Sequence, residues 1–244
     1  MKVCVVGSGG REHVFATALA RTAEVVVTPG SPGIEGSVSQ EALEVEADLY
    51  VIGPEAQLVH GLADELRNNN KLVFGPGADG AKLEGSKKWM KDLVENAGVP
   101  TARFESFNEN QIEEAILFLS TMSSPYVVKT DGLAAGKGVL VTEDYQLAVA
   151  DIKNKLSGKS FGIAGQRVVI EEGLTGREVS LFAVCDGKKA TLIPTAAQDH
   201  KRLLDLDNGP NTGGMGCYSP IPSIDSANLA QMMEIAIHPT MDEL

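Results

Sequence analysis

The chain has 244 residues, and its 21 Lys+Arg against 33 Asp+Glu leave a formal charge of −12; with 43% hydrophobic and 5% aromatic residues it has the make-up of a globular protein of one or two domains, which argues against disorder. The longest apolar runs are only a few residues, well short of the about 20 of a membrane span or the about 7 to 15 of a secretory h-region, so membrane and export are not expected. The acidic surplus makes a nucleic-acid backbone a poor partner but leaves room for a local basic pocket that holds a small anion.

Cys4, Cys185 and Cys217 are an odd number without metal-ligand spacing. They read as reduced thiols of a cytoplasmic protein, with no disulfide and no zinc expected.

Lys2 to Val6 is a short β-branched run, followed by Gly7-Ser8-Gly9-Gly10 and by helix-compatible residues from Arg11 to Ala20, which gives strand, loop, helix. Further apolar runs end at Val27, Ile52 and Phe74, and each leads into a Gly/Pro loop. Strands alternating with helices predict an α/β fold with a parallel sheet, whose carboxyl edge gathers those loops and is where ligands bind. Met90, Leu93, Val94 and Ala97 recur at helical spacing behind Ser86 as N-cap, with Gly98 and Pro100 as terminators. The pattern repeats at Ile112, Ala115, Ile116 and Leu119, where Asn108 and Gln111 have capping-box spacing.

These signals divide the chain into a first domain over 1–101 and a second over 102–244, with a small lobe at about 121–190. In the second domain the reading is strand (126–129), glycine-rich turn, strand (138–141), helix (143–156), then strands at 167–171 and 179–185, an α+β block with hairpins. From Thr195 to Pro222 periodicity disappears, and a loop of this length in a compact domain is expected to be functional or disordered.

Five stretches suggest chemistry. Gly7 to His13 follows a strand and opens a helix, the setting in which backbone N–H groups hold a phosphate, with Arg11 as a bidentate donor. A dinucleotide site would want glycine where Glu12 stands, and a plain tight turn stays open as an alternative. Lys129 to Val139 joins two strands through small residues with a lysine at either end, a flap suited to a polyphosphate but without Walker spacing. Glu171 to Glu178, Gln198 to Arg202 and Asn208 to Gly216 then concentrate charges, amides and glycines; each alone is compatible with ordinary loop chemistry.

In order, GSGGREH, GPE (53–55), LEGSK (83–87), DGLAAGKGV, VIEEGLTGRE, QDHKR and PNTGGMG resemble the phosphoribosylamine–glycine ligase family, the glycinamide ribonucleotide synthetases of the ATP-grasp superfamily. The resemblance implies a Rossmann-like pre-ATP-grasp domain followed by an incomplete α+β ATP-grasp domain. It implies ATP-dependent joining of glycine to 5-phosphoribosylamine through a glycyl phosphate, with small-molecule substrates, no nucleic acid and no membrane, in a cytoplasmic and monomeric enzyme. Residue by residue, it assigns ATP phosphates to Lys87 and Lys129 and the covering flap to Gly132, Ala135, Gly136, Lys137 and Gly138. It assigns the adenine hinge to Glu171, Glu172 and Leu174, largely through backbone groups, and the ribose to Glu178. Gly9, Gly10, Arg11, Glu12 and Glu55 would face phosphoribosylamine. Asp199, Lys201, Arg202, Asn211, Thr212 and Gly213 would complete the acceptor site, with Lys129, Asp199, Lys201, Arg202 and Asn211 as the catalytic set.

No Ser/His/Asp or Cys/His constellation stands out, in keeping with a reaction that needs alignment and charge neutralisation and no enzyme nucleophile. Family members bind Mg (or Mn) through a Glu and an Asn in a segment reading roughly IEFN, which is absent from this sequence. The metal ligands are therefore expected beyond residue 244 and the chain is expected to be truncated, with a noncatalytic ATP- or phosphoribosylamine-binding fragment as the alternative.

Overall fold

The computed structural model describes residues 1–134, 138–158, 167–206 and 208–244, apart from the side chains of 210 and 211. It divides into two units, Met1–Gly85 and Ser86–Leu244.

The first unit is built on β1 (Lys2–Gly7), α1 (Gly10–Leu19), β2 (Glu24–Pro29), β3 (Leu49–Ile52), α2 (Glu55–Val59), α3 (Leu62–Asn68), β4 (Val73–Phe74) and α4 (Ala78–Gly85). Its four strands run parallel in the order β2-β1-β3-β4, the parallel sheet that the strand–helix alternation predicts. From Val3 to Val6 the β1 strand is apolar because both its faces are covered. Val3 and Val5 pack with Ala16 of α1, Val27 and Ile34, whereas Cys4 and Val6 pack with Tyr50, Ala63 and Leu66. Val3, Cys4 and Val5 are wholly buried, each valine contributing about 1.5 to 3 kcal/mol. Burial pushes the Cys4 thiol up to about 11. The chain leaves β1 for one neighbour, β2, and later returns to the other, β3, so the order of strands reverses beside β1. The Gly7–Gly10 loop and the Gly53–Glu55 turn stand at the carboxyl ends of those two strands, at the reversal point where open α/β sheets bind ligands.

The second unit begins with α5 (Lys87–Asn96), β5 (Phe104–Asn108), α6 (Ile112–Leu119), β6 (Tyr126–Thr130), β7 (Val139–Thr142), α7 (Tyr145–Leu156) and β8 (Arg167–Glu172). The Ser86 hydroxyl caps α5 by accepting from the Trp89 amide at 3.2 Å, as expected, and Gln111 Oε1 accepts from the Asn108 amide at 3.0 Å ahead of α6. The four strands form an antiparallel sheet in the order β5-β8-β6-β7. One face presents Val128, Val168 and Ile170 to Ala115 and Leu119 of α6 and to Ala148 and Ile152 of α7. Alternation puts Val127, Lys129, Val169 and Glu171 on the opposite face.

Beyond it come β9 (Ser180–Cys185), β10 (Ala190–Asp199), β11 (Arg202–Leu204), β12 (Asn208–Asn211) and β13 (Cys217–Tyr218), then α8 (Ser226–Met232), a π-helical turn and α9 (His238–Glu243). β10 lies between β9 and β13, and β11 pairs with β12.

Three sequence expectations change. The division falls after Gly85, ahead of the boundary expected at 101, because α5 joins the second unit: Lys88 N donates to Asp131 Oδ1 at 3.2 Å and Lys91 pairs with Glu171 at 3.0 Å. The α+β block, read from Tyr126, also takes in β5 from Phe104, since β5 supplies an edge of the same sheet. The stretch 195–222, expected as a loop, holds the end of β10 and three short strands. Its ladder pairs Gln198 with Tyr218, Asp199 with Cys217, and Arg202 with Asn211, so polar side chains hide strands whose backbone is paired.

Candidate active site

In the first unit the glycine loop is shaped by a carboxylate. Glu12, the third residue of α1, is only 3% exposed; its Oε2 accepts from the Gly9 amide at 2.7 Å and its Oε1 lies 3.1 Å from Arg11 Nε. A Cβ at Gly53 would come within 2.0 Å of Glu12 Oε1, and one at Gly7, where φ is +130°, within 2.5 Å of its Cγ. The glycines therefore make room for Glu12 itself. Expected to face a substrate, Glu12 instead turns inward and holds Gly9 and Arg11. Arg11 reaches Glu55 at 3.0 Å, and both remain about half exposed. Burial pulls the Arg11 pKa down, but hydrogen bonds with Glu55 and Glu12 outweigh it and raise the pKa. The Glu55 carboxyl is held below its ordinary value by its own backbone N–H and by Arg11. The first N–H groups of a helix have no intrahelical acceptor, so Gly10 and Arg11 at the start of α1 suit an anion.

In the second unit Lys87 Nζ donates to Gly132 O at 2.9 Å, where φ is +88°, and Lys129 Nζ lies 2.9 Å from Glu171 Oε1. The two lysines expected at ATP phosphates thus flank the beginning of the glycine-rich segment. Gly138, at the segment's far end, is packed so closely that a Cβ would meet Thr130 Oγ1 at 2.1 Å. Ala135, Gly136 and Lys137 lie outside the described residues. Asp131 ties this corner together. Its carboxylate accepts from Ser86 Oγ at 3.1 Å, Lys88 N at 3.2 Å and Gly132 N at 3.1 Å, and Arg167 is 3.4 Å away. Glu171 is 5% exposed and its side chain is engaged by lysines, so only its backbone is available to a hinge contact. Glu172 pairs with Arg103 through the backbone at 2.8 Å, and Leu174 is exposed.

The remaining motifs meet one another. Lys201 of QDHKR makes an ion pair with Glu178, the expected ribose ligand, and lies 3.8 Å from Asp199. Thr212 donates to Lys201 O through its amide at 2.7 Å and its hydroxyl at 2.9 Å, and Arg202 donates to Gly209 O at 2.8 Å. PNTGGMG is thereby folded back against HKR. The Asn211 backbone pairs with Arg202, and Gly213 is exposed. Among the described residues no group of three or more His, Cys, Asp or Glu could hold a metal ion, and no helix is long and apolar enough to cross a membrane.

Residues 1–84 match the model of the phosphoribosylglycinamide synthetase N domain, and residues 85–244 match that of the phosphoribosylglycinamide synthetase ATP-grasp (A) domain. The chain belongs to the phosphoribosylglycinamide synthetase family. It is 45% identical to the phosphoribosylamine–glycine ligase of Caulobacter vibrioides, an alignment covering 99% of this chain and 60% of that protein. The crystal structure of phosphoribosylamine–glycine ligase from Thermotoga maritima matches with a TM-score of 0.82 and 32% identity, over 100% of this chain and 61% of that one. D-alanyl-alanine synthetase A from Vibrio cholerae, 12% identical over 99% of this chain and 81% of that one, matches with a TM-score of 0.73 and shares the fold. The chain thus spans about 60% of the length of the curated phosphoribosylglycinamide synthetases it matches.

Sequence reasoning missed three residues around the lysines: Lys91, Asp131 and Arg167. Asp131 stands inside a quoted motif, and Lys91 lies one helical turn after Lys87, but their partners are distant in sequence and no local pattern marks them.

Proposed function

We propose that this chain carries the phosphoribosylamine-binding and ATP-grasp portions of a phosphoribosylamine–glycine ligase of de novo purine biosynthesis. The reaction joins glycine to 5-phosphoribosylamine and yields glycinamide ribonucleotide, ADP and phosphate. A glycine carboxylate oxygen attacks the γ-phosphorus as the bond to the ADP oxygen breaks. The amine of phosphoribosylamine then attacks the acyl carbon of glycyl phosphate, phosphate leaves, and the new nitrogen loses a proton.

The observation that carries this reading is Lys87 on the Gly132 carbonyl and Lys129 on the strand that leads into the same glycine-rich segment, in a chain whose residues 85–244 match an ATP-grasp domain. In this proposal both lysines hold polyphosphate, and 132–138 covers it and excludes water. The backbone of Glu171, Glu172 and Leu174 lines adenine, and Glu178 takes the ribose hydroxyls once Lys201 yields it. Asp199, Lys201, Arg202, Asn211, Thr212 and Gly213 serve the acceptor side. Gly9, Gly10, Arg11 and Glu55 contact phosphoribosylamine, and Glu12 acts through its hold on Gly9 and Arg11. Magnesium or manganese would neutralise phosphate charge. The enzyme is proposed to be cytoplasmic and monomeric.

The test is phosphate release by the full product of the gene, which should require ATP, glycine and phosphoribosylamine together; release that ignores glycine overturns the proposal. For this chain alone, ATP at about 100 times its Kd should add about 2.7 kcal/mol of stability, and an unchanged melting temperature would count against the nucleotide site.

A further inference from the structure

Glu171 is shared between two ammonium groups. Lys129 lies 2.9 Å from Oε1 and Lys91 lies 3.0 Å from Oε2. The strand register explains the meeting: Glu171 stands opposite Phe104 on β5 and opposite Val127 on β6, two residues before Lys129 on the same face. Lys91 reaches that face from α5 and sits 5.3 Å from the Phe104 ring centroid.

The two lysines are not equivalent. Lys91 is 4% exposed; its ammonium donates to Thr101 Oγ1 at 2.8 Å and to Ala102 O at 3.4 Å, and it lies 3.0 Å from Glu171 Oε2 as an ion pair. Its geometry is closed. The Lys129 side chain is 26% exposed, and its contact with Glu171 is likewise an ion pair, the buried Oε1 making no hydrogen bond among the described residues. The cluster of two cations and one anion keeps a net positive charge, and Lys129 is its open end.

We propose that Lys91 is a positioning residue for nucleotide binding: by holding Glu171 Oε2 it keeps one carboxylate divided between two ammonium groups, so that Lys129 retains net positive charge and a fixed aim toward a polyphosphate. Without Lys91, Glu171 is free to turn both oxygens onto Lys129 and neutralise it. The proposal rests on the nucleotide-binding reading above and adds to it a residue that touches no ligand.

The test compares the chain with its Lys91→Met variant in calorimetric titrations with ATP and with adenosine. Weakening of ATP by about tenfold, with adenosine unchanged, is the expected result, the order of effect of one unit charge about 12 Å away at an effective dielectric near 20. Equal weakening of both ligands would mark a merely structural role and overturn the proposal, as would no change in either. Lys91→Arg, which restores the charge, should recover the preference for ATP.

A second readout needs no nucleotide. Acylation of the Lys129 amine by an amine-reactive ester, followed by peptide mass spectrometry, should be slower in Lys91→Met because the released carboxylate then engages that amine with both oxygens; an unchanged rate overturns the proposal. An unmodified chain that binds neither ATP nor adenosine removes the nucleotide reading, and the acylation rates still decide whether Lys91 controls Lys129. If Lys91→Met does not fold, Thr101→Val takes its place. It removes one acceptor of Lys91 and leaves both charges, and it should shift the ATP-to-adenosine ratio the same way by a smaller factor; an unshifted ratio overturns the proposal.

Discussion

Glu12 in the first unit and Glu171 in the second are both buried carboxylates, 3% and 5% exposed, yet they are held by different means. Glu12 lies in a space left by Gly7 and Gly53 and is bound by the Gly9 amide and one guanidinium. Glu171 has strand neighbours with full side chains and is held by two ammonium groups. The first arrangement depends on room, and the second on charge. A buried carboxylate is costly unless its desolvation is offset, and these two sites show hydrogen-bonded backbone and paired charge as separate solutions.

Substitutions that remove room or charge separate the two. The largest effect is expected from Glu171→Gln, which leaves a buried Lys91 beside a neutral amide and should cost about 3 to 5 kcal/mol in urea denaturation. Gly53→Ala should come next, at about 1 to 3 kcal/mol, because its new methyl would overlap Glu12 Oε1; the same denaturation series checks it. An alanine at Gly53 that left stability unchanged would break the contrast, since room would then not matter.

The smallest effect belongs to the half-exposed Arg11–Glu55 pair, where Glu55→Gln should cost about 0 to 1 kcal/mol. The Glu55 carboxyl titrates below its ordinary 4.5 in the folded chain. Its contribution is therefore complete above pH 4.5 and fades as the pH falls through the lower folded value. Stability measured between neutral and acid pH should lose that part of its slope in the glutamine variant.

The parallel sheet, the helix capped by Ser86 and the order of the motifs could be read from the sequence, because apolar periodicity, capping and glycine placement are local signals. Glu12 was visible as a break in a glycine pattern, but its inward turn was not: the space it fills depends on Gly53, in the turn that follows another strand. The strands within 195–222 were hidden because Asp199, Arg202 and Asn208 carry no alternating apolar signal, although their backbones pair. The Lys91–Glu171 contact was invisible for a related reason. A charged residue on a helix reads as solvent-facing until the strand that covers it is known.

Strand β8 has a further consequence for how the chain is assembled. It is the last of its four strands to be synthesised, yet it lies between β5 and β6. Until residues 167–172 emerge from the ribosome, β5 has no partner in the sheet, and only the β6–β7 hairpin can form. Insertion of β8 then completes two ladders at once, between segments distant in sequence, which makes for high contact order and slow, cooperative folding. The same event delivers Glu171 to its two lysines, so the charged cluster is sealed as the sheet closes.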